Sequence, residues 1–308
     1  MTDVNLGFVG LGVMGRPMAG HLAAAGYRVT VYDLNRSAAE GLAAEQPQVR
    51  IADSVRDVAA ASDIVFTMLP SGKEVRTIAL GSESGGGNDG LIAGFRPGGL
   101  LVDTSSAEPW LTTDVAQRLR AAGVAMVDAP VSGAEAGARA AELVFMIGGA
   151  DEDVARAAPL LDILGRRSFH LGPIGSGHAM KSINNLITAV TFMATGEGLV
   201  AGKRYGLDPA VMTEVLNLST GMSWISQTHI AQRILSRRFD DPFKLELMLK
   251  DIEIATRVAE DEGIDMPLSN ETRRLWREAN ASVPPGSSVS ELIRTIETAN
   301  DVEITPGR

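Results

Sequence analysis

Leu6-Gly7-Phe8-Val9-Gly10-Leu11-Gly12-Val13-Met14-Gly15 governs the reading of the amino-terminal half. An apolar run enters G-x-G-x-x-G, and residues 17–25 beyond it read as a helix. Between a strand and a helix, this spacing lets a backbone approach a dinucleotide pyrophosphate. Gly10 permits the tight turn, Gly12 lets the main chain near the phosphates, and Gly15 lets the helix pack on the strand. The N–H groups and dipole at the helix start would face the negative charge. Glycines also cluster in ordinary turns, so context decides. A second strand-like run, Tyr27-Arg28-Val29-Thr30-Val31-Tyr32, ends in Asp33, 18 positions after Gly15; about 20 are expected for a ribose-binding acid.

The same alternation continues outward. Residues 63–69, 99–103, 124–128 and 143–147 are nearly continuous apolar runs, with helical stretches at 38–44, 73–80 and 110–122. Such runs imply strands covered on both faces, hence a mostly parallel, doubly wound sheet of Rossmann type. A long loop at 81–90, with three consecutive glycines and Asn88-Asp89, reads as a mobile surface excursion. The pattern breaks after His170, at Gly172-Pro173-Ile174-Gly175-Ser176-Gly177, and no convincing strand follows. Residues 181–205 read as one long helix whose Ala189, Ala194, Gly196, Gly198, Ala201 and Gly202 would let another helix come close. Gly206 stops it, and Asp208-Pro209 opens the next with an N-cap and a proline at N1. Further helices are expected over 244–262, from Pro267, and over 289–299. The expected organisation is α/β: a Rossmann-type dinucleotide-binding domain over residues 1–170, then an all-helical domain over 171–308.

The bulk numbers agree. At 308 residues the chain exceeds the ~250–300 at which one core divides. The net charge of −10 comes with no basic block, which argues against nucleic acid or an anionic membrane as partner. Without cysteine there are no disulfides, thiolate metal sites or cysteine nucleophiles. The first strand begins by Leu6, so no signal peptide is expected. No run of 18 apolar residues is present either, and the simplest address is the cytoplasm.

Several residues could carry chemistry. Lys181 and Asn185, at i, i+4, share a helix face just after the glycine-rich stretch. There a lysine can exchange a proton with a carbonyl or alcohol that an amide orients; a solvated lysine beside a buried asparagine fits the spacing equally. Ser132 and Gly133 follow a strand at its carboxyl end and offer a hydroxyl and an open N–H to a carboxylate, or form an ordinary turn. Lys250-Asp251 reads most simply as an exposed ion pair. His170 and His178 lack metal-ligand spacing and read as structural or solvent-facing, and Trp224 and Trp276 as packing residues.

Taken in order, these segments resemble the β-hydroxyacid dehydrogenase family, which includes 3-hydroxyisobutyrate dehydrogenase and tartronate semialdehyde reductase. The resemblance runs from Gly7 to Ala19, through Met68-Leu69-Pro70, Asp103-Thr104-Ser105-Ser106, residues 128–137, Gly175-Ser176-Gly177 and Lys181-Ser182-Ile183-Asn184-Asn185, to Phe243 and Lys250-Asp251. It implies a metal-free hydride transfer between a nicotinamide cofactor and a small 3-hydroxy acid or its semialdehyde. Lys181 would be the general acid/base, Asn185 would hold the substrate, and Ser132 and Gly133 would bind its carboxylate. Lys250 would close over nicotinamide and substrate. Cofactor contacts would come from Gly10, Leu11, Gly12, Val13, Met14, Gly15, Asp33, Leu69, Pro70, Thr104 and Lys250. Asp33 can accept from a ribose 2′-hydroxyl and repels a 2′-phosphate, favouring NAD; Arg36 nearby would still allow NADP. The resemblance also implies a homodimer or homotetramer that buries the long helix.

Two departures bear on substrate. The usual Ser-Gly-Gly of the substrate loop is Ser132-Gly133-Ala134, and Pro284-Pro285-Gly286-Ser287-Ser288-Val289-Ser290 replaces a glycine-rich segment. Alternatives within the family are a tartronate semialdehyde reductase and a threonate-type sugar-acid dehydrogenase. An imine reductase on the same scaffold generally lacks a lysine at position 181. A non-catalytic dinucleotide-binding module would have lost Lys181, Asn185 and Lys250.

Overall fold

The apolar runs become strands of one sheet, and their order sets where a ligand can bind. The computed structural model describes residues 4–82 and 88–307; the expectation for the triple glycine of the 81–90 loop lies outside them. In chain order the first elements are β1 (Asn5–Val9), α1 (Gly15–Ala24), β2 (Arg28–Tyr32), α2 (Arg36–Glu45), β3 (Val49–Ile51), α3 (Val55–Ala60), β4 (Ile64–Thr67) and α4 (Gly72–Leu80). Next come β5 (Leu100–Asp103), α5 (Pro109–Ala121), β6 (Ala125–Asp128), β7 (Val131–Ser132), α6 (Ala134–Ala140), β8 (Leu143–Gly148), α7 (Asp151–Leu164) and β9 (Gly165–Gly172).

The sheet order is β3-β2-β1-β4-β5-β6-β8-β7, with β9 on β8. From β3 to β6 every pairing is parallel. The order reverses direction between β1 and β4, the switch point where open α/β sheets take ligands. β4 and β5 are buried at every position because helices cover both faces. On one face Phe8, Phe66 and Leu100 pack with Met18 and Leu22 of α1 and Leu160 and Leu161 of α7. On the other, Val65 and Leu101 pack with Val58 of α3 and Leu119 of α5. β8 runs antiparallel to β6 and β7, and β9 parallel to β8. β9, leading into the glycine-rich stretch, is a strand that the sequence reading did not include. Its Arg166, Arg167, Phe169 and Leu171 are exposed, so it has no apolar run to read.

The rest is helical: α8 (Ser176–Tyr205), α9 (Pro209–Asn217), a π-helix (Ile225–Leu235), α10 (Leu245–Asp261), α11 (Pro267–Ser282) and α12 (Glu291–Asn300). Its core gathers Phe192, Met248, Ile252, Trp276 and Ile293, and Trp276 is fully buried. The chain divides into two compact units, Met1–Lys181 and Ser182–Arg308. The division falls inside α8, whereas the sequence reading drew it at 170/171. Among the described residues no helix is long and apolar enough to cross a membrane.

Candidate active site

Within the first unit, register brings the strand ends that carry the predicted nucleotide residues to one edge of the sheet. Val9 pairs with Tyr32 and Thr67, Thr67 with Asp103, and Asp103 with Asp128. The turns leaving these five strands therefore emerge side by side. Gly10 has φ +96°, and a Cβ on it would collide with the Met68 carbonyl oxygen, so the turns after β1 and β4 touch at the switch point. A Cβ on Gly15 would strike the Gly10 carbonyl, which fixes the tight entry into α1.

This edge fits a dinucleotide. A Cβ on Gly12 would meet nothing within 4 Å, so the space above that backbone is open. Helix α1 begins without a side-chain cap, leaving its first N–H groups to an anion. Asp33, directly after β2, accepts from Leu11 N at 2.6 Å and from Asn35 N at 2.7 Å. Each oxygen retains a lone pair for a sugar hydroxyl. Arg36 is drawn to Asp53 at 3.1 Å and Glu40 at 3.3 Å; the Asp53 hydrogen bond chiefly holds its guanidinium above the usual range.

The other predicted contacts differ in what they can offer. Leu11 buries its side chain in the core and Val13 points to solvent. Met14 occupies the N-cap of α1, with its side chain partly buried against the core. Leu69 donates its N–H to Ser105 Oγ at 2.9 Å, and Pro70 beside it is exposed. Thr104 is 1 % exposed, and its hydroxyl donates inward to the Thr67 carbonyl at 2.7 Å, so its side chain faces away from solvent. Ser132 ends β7, and Gly133, with φ +135°, caps α6. Ala134 has φ +52°, a conformation that favours glycine.

Lys181 and Asn185 lie one turn apart on α8. In the helical unit Asn185 is buried and donates its Nδ2 to Asp251 Oδ2 at 2.5 Å. Asp251, itself 2 % exposed, pairs through Oδ1 with Lys250 Nζ at 3.3 Å. The sequence reading favoured an exposed Lys250–Asp251 pair; the carboxylate is instead buried between an amide and an ammonium. That burial is legible only once the amphipathic face of α10 is known.

Sequence reasoning missed a second buried group. Asp128 Oδ1 accepts from Gly175 N at 2.7 Å and its Oδ2 from His178 N at 2.8 Å. The His178 ring is fully enclosed: Nδ1 lies 2.7 Å from Thr112 Oγ1 and Nε2 3.1 Å from the Ser105 carbonyl. Of the two readings left open for His178, structural is the correct one. His170, by contrast, sits at the surface between the Gly149 and Gly172 carbonyls.

A helix without a side-chain cap at the switch point, an acid directly after β2 and a helical second unit fit the class of nicotinamide-dependent oxidoreductases. Residues 5–172 match the NAD binding domain of 6-phosphogluconate dehydrogenase. Residues 175–296 match the family described as NAD-binding of NADP-dependent 3-hydroxyisobutyrate dehydrogenase. A 3-hydroxyisobutyrate dehydrogenase of Pseudomonas aeruginosa is 38% identical over 282 residues, 90% of this chain and 91% of the relative. An NAD-dependent L-serine dehydrogenase of the same organism is 36% identical, covering 89% and 91%. A solved Mycobacterium tuberculosis 3-hydroxyisobutyrate dehydrogenase with L-serine superposes with a TM-score of 0.84 at 30% identity, over 96% of this chain and 99% of that one. The chain belongs to the β-hydroxyacid dehydrogenase family. It is an NAD(P)-dependent dehydrogenase that acts on the CH–OH group of hydroxy acids.

Proposed function

We propose that the chain oxidises a small 3-hydroxy acid with a free carboxylate, with NAD preferred and Lys181 as general acid/base. Bound nicotinamide supplies the hydride acceptor, or the donor in reverse. Neutral Lys181 Nζ takes the hydroxyl proton as the carbonyl forms, and its ammonium returns the proton on reduction. Asn185 orients the substrate oxygen, Ser132 and the Gly133 N–H hold the carboxylate, and Lys250 adds positive charge. Gly10 to Gly15, Asp33, Leu69 and Pro70 hold the cofactor; Thr104 serves through its backbone and by tying β5 to β4.

The observation that carries this reading is the buried Asn185–Asp251–Lys250 chain one turn beyond Lys181. Burying a carboxylate is unfavourable unless it is paired, and here its partners are the amide and the ammonium of the two residues proposed to meet the substrate. L-Serine is a second candidate substrate, because it is itself a 3-hydroxy acid and a relative of similar identity is an L-serine dehydrogenase. The proposal extends to a homodimer or homotetramer built on the helical unit. It is supported by an open apolar groove of about 530 Å³ beside exposed Ile187, Ile264 and Leu268. It extends also to a cytoplasmic address, where free NAD is available, and to residues 171–308 serving substrate binding and assembly. The test is a panel of 3-hydroxyisobutyrate, L-serine, glycerate and threonate with NAD and NADP, followed by nicotinamide absorbance. Turnover of at least one acid with NAD ahead of NADP is expected; inertness towards all four would overturn the substrate class.

A further inference from the structure

The amino end of α8 is seated by side chains from distant strands. Asp128, at the end of β6, places one carboxylate oxygen on the N–H of Gly175 and the other on that of His178. It thus caps a 30-residue helix from nearly fifty positions away. A carboxylate at this end satisfies free N–H groups and opposes the positive pole of the dipole. The fit is close: a Cβ on Gly177 would collide with the Met146 carbonyl oxygen and come 2.9 Å from Asp128 Oδ2.

The His178 side chain fixes rotation about the helix axis as well as depth. Its two ring nitrogens are held by Thr112 on α5 and by the Ser105 carbonyl beyond β5. Asp103 Oδ2 is buried with no hydrogen-bond partner, and it lies 3.6 Å from His178 Nε2. Asp128 Oδ2 is 3.8 Å from Nδ1. The Ser105 hydroxyl in turn accepts the Leu69 N–H. The imidazole therefore ties α8 to the same post-strand turns that form the nucleotide edge. Lys181 follows His178 by three residues, on nearly the same face and about 4.5 Å along the axis.

We propose that Asp128 and His178 are positioning residues that aim Lys181, with the turns after β4 and β5 as their reference. The inference rests on the acid/base role proposed for Lys181. Misplacing a reacting group by about 1 Å can cost ~100-fold in rate. His178→Leu removes both ring contacts, whereas His178→Gln keeps a donor and an acceptor. The Leu variant should lose ~10–100-fold in kcat with the NADH dissociation constant within twofold, and the Gln variant should recover most of the loss.

The measurement is kcat, KM and NADH fluorescence titration on both variants and on Lys181→Ala, with thermal unfolding alongside. Wild-type kcat in folded His178→Leu, or a kcat loss matched by lost NADH binding, overturns the seat. If His178→Leu does not fold, Thr112→Val against Thr112→Ser decides: several-fold lower kcat in the first, restored in the second, supports the seat, and an unchanged Thr112→Val overturns it. An inactive Lys181→Ala beside a fully active His178→Leu fails the seat alone, while an active Lys181→Ala fails the acid/base reading.

Discussion

Asp33 holds two backbone N–H groups, from Leu11 and Asn35, so it shapes the opening loop as well as facing the ribose edge. Asp33→Asn keeps one acceptor and removes the charge. It should weaken NAD by about tenfold and raise the relative use of NADP, in keeping with ~1.5–3 kcal/mol for a hydrogen bond to a charged group. A NAD-to-NADP ratio of kcat/KM equal to wild type would remove Asp33 as the selector. His229 supplies a pH dependence. Burial outweighs the attraction of Asp241 and, with Arg233 nearby, lowers its pKa from 6.5 to about 4. The neutral ring is stabilising above pH 6.5, and that stability is lost as pH falls towards about 4. Ser290 Oγ lies 2.9 Å from Nε2. His229→Gln should therefore lose less stability between pH 6.5 and 4 than wild type in urea unfolding; parallel losses would contradict this. Asp33 was legible because strand, turn and count lie close in sequence. Asp128 and His178 were not, because their partners converge from three separated strand ends. Thr104 was named as a cofactor contact, and the inward turn of its hydroxyl onto the Thr67 carbonyl was not legible, because a strand-end threonine looks the same whichever way its hydroxyl turns.

Among the elements of the described residues α8 is the longest, and its amino end is closely seated. Gly177→Ala should destabilise the protein by about 1–3 kcal/mol through overpacking against Met146 and Asp128, read as a lowered thermal midpoint. An unchanged midpoint would mean that the amino end of α8 can shift freely. The glycine-rich stretch 172–177, which breaks the pattern in sequence, has Gly175 and Gly177 buried, because small residues serve close approach as well as flexibility. The long helices were legible from their caps and breakers, and α9 does begin at Pro209 with the Asp208 side chain accepting from Ala210 N. The π-helix was not. Ile225, Ile230 and Ile234 are buried at intervals of five and then four, longer than the 3.6-residue period that the eye seeks.

At the scale of the molecule, the parallel order from β3 to β6 follows from runs apolar on both faces. The edge of that sheet, where the nucleotide turns gather, follows from topology alone. Substrate identity does not: it depends on small features such as Ala134, whose left-handed backbone carries a methyl group where a glycine is usual. The central claim is that the ammonium of Lys181 exchanges the substrate proton. Steady-state turnover of Lys181→Ala, with NADH binding measured by fluorescence on the same preparation, tests it most directly. A ~10²–10⁴-fold fall in kcat with NADH binding retained is the expected result; turnover near wild type would contradict it.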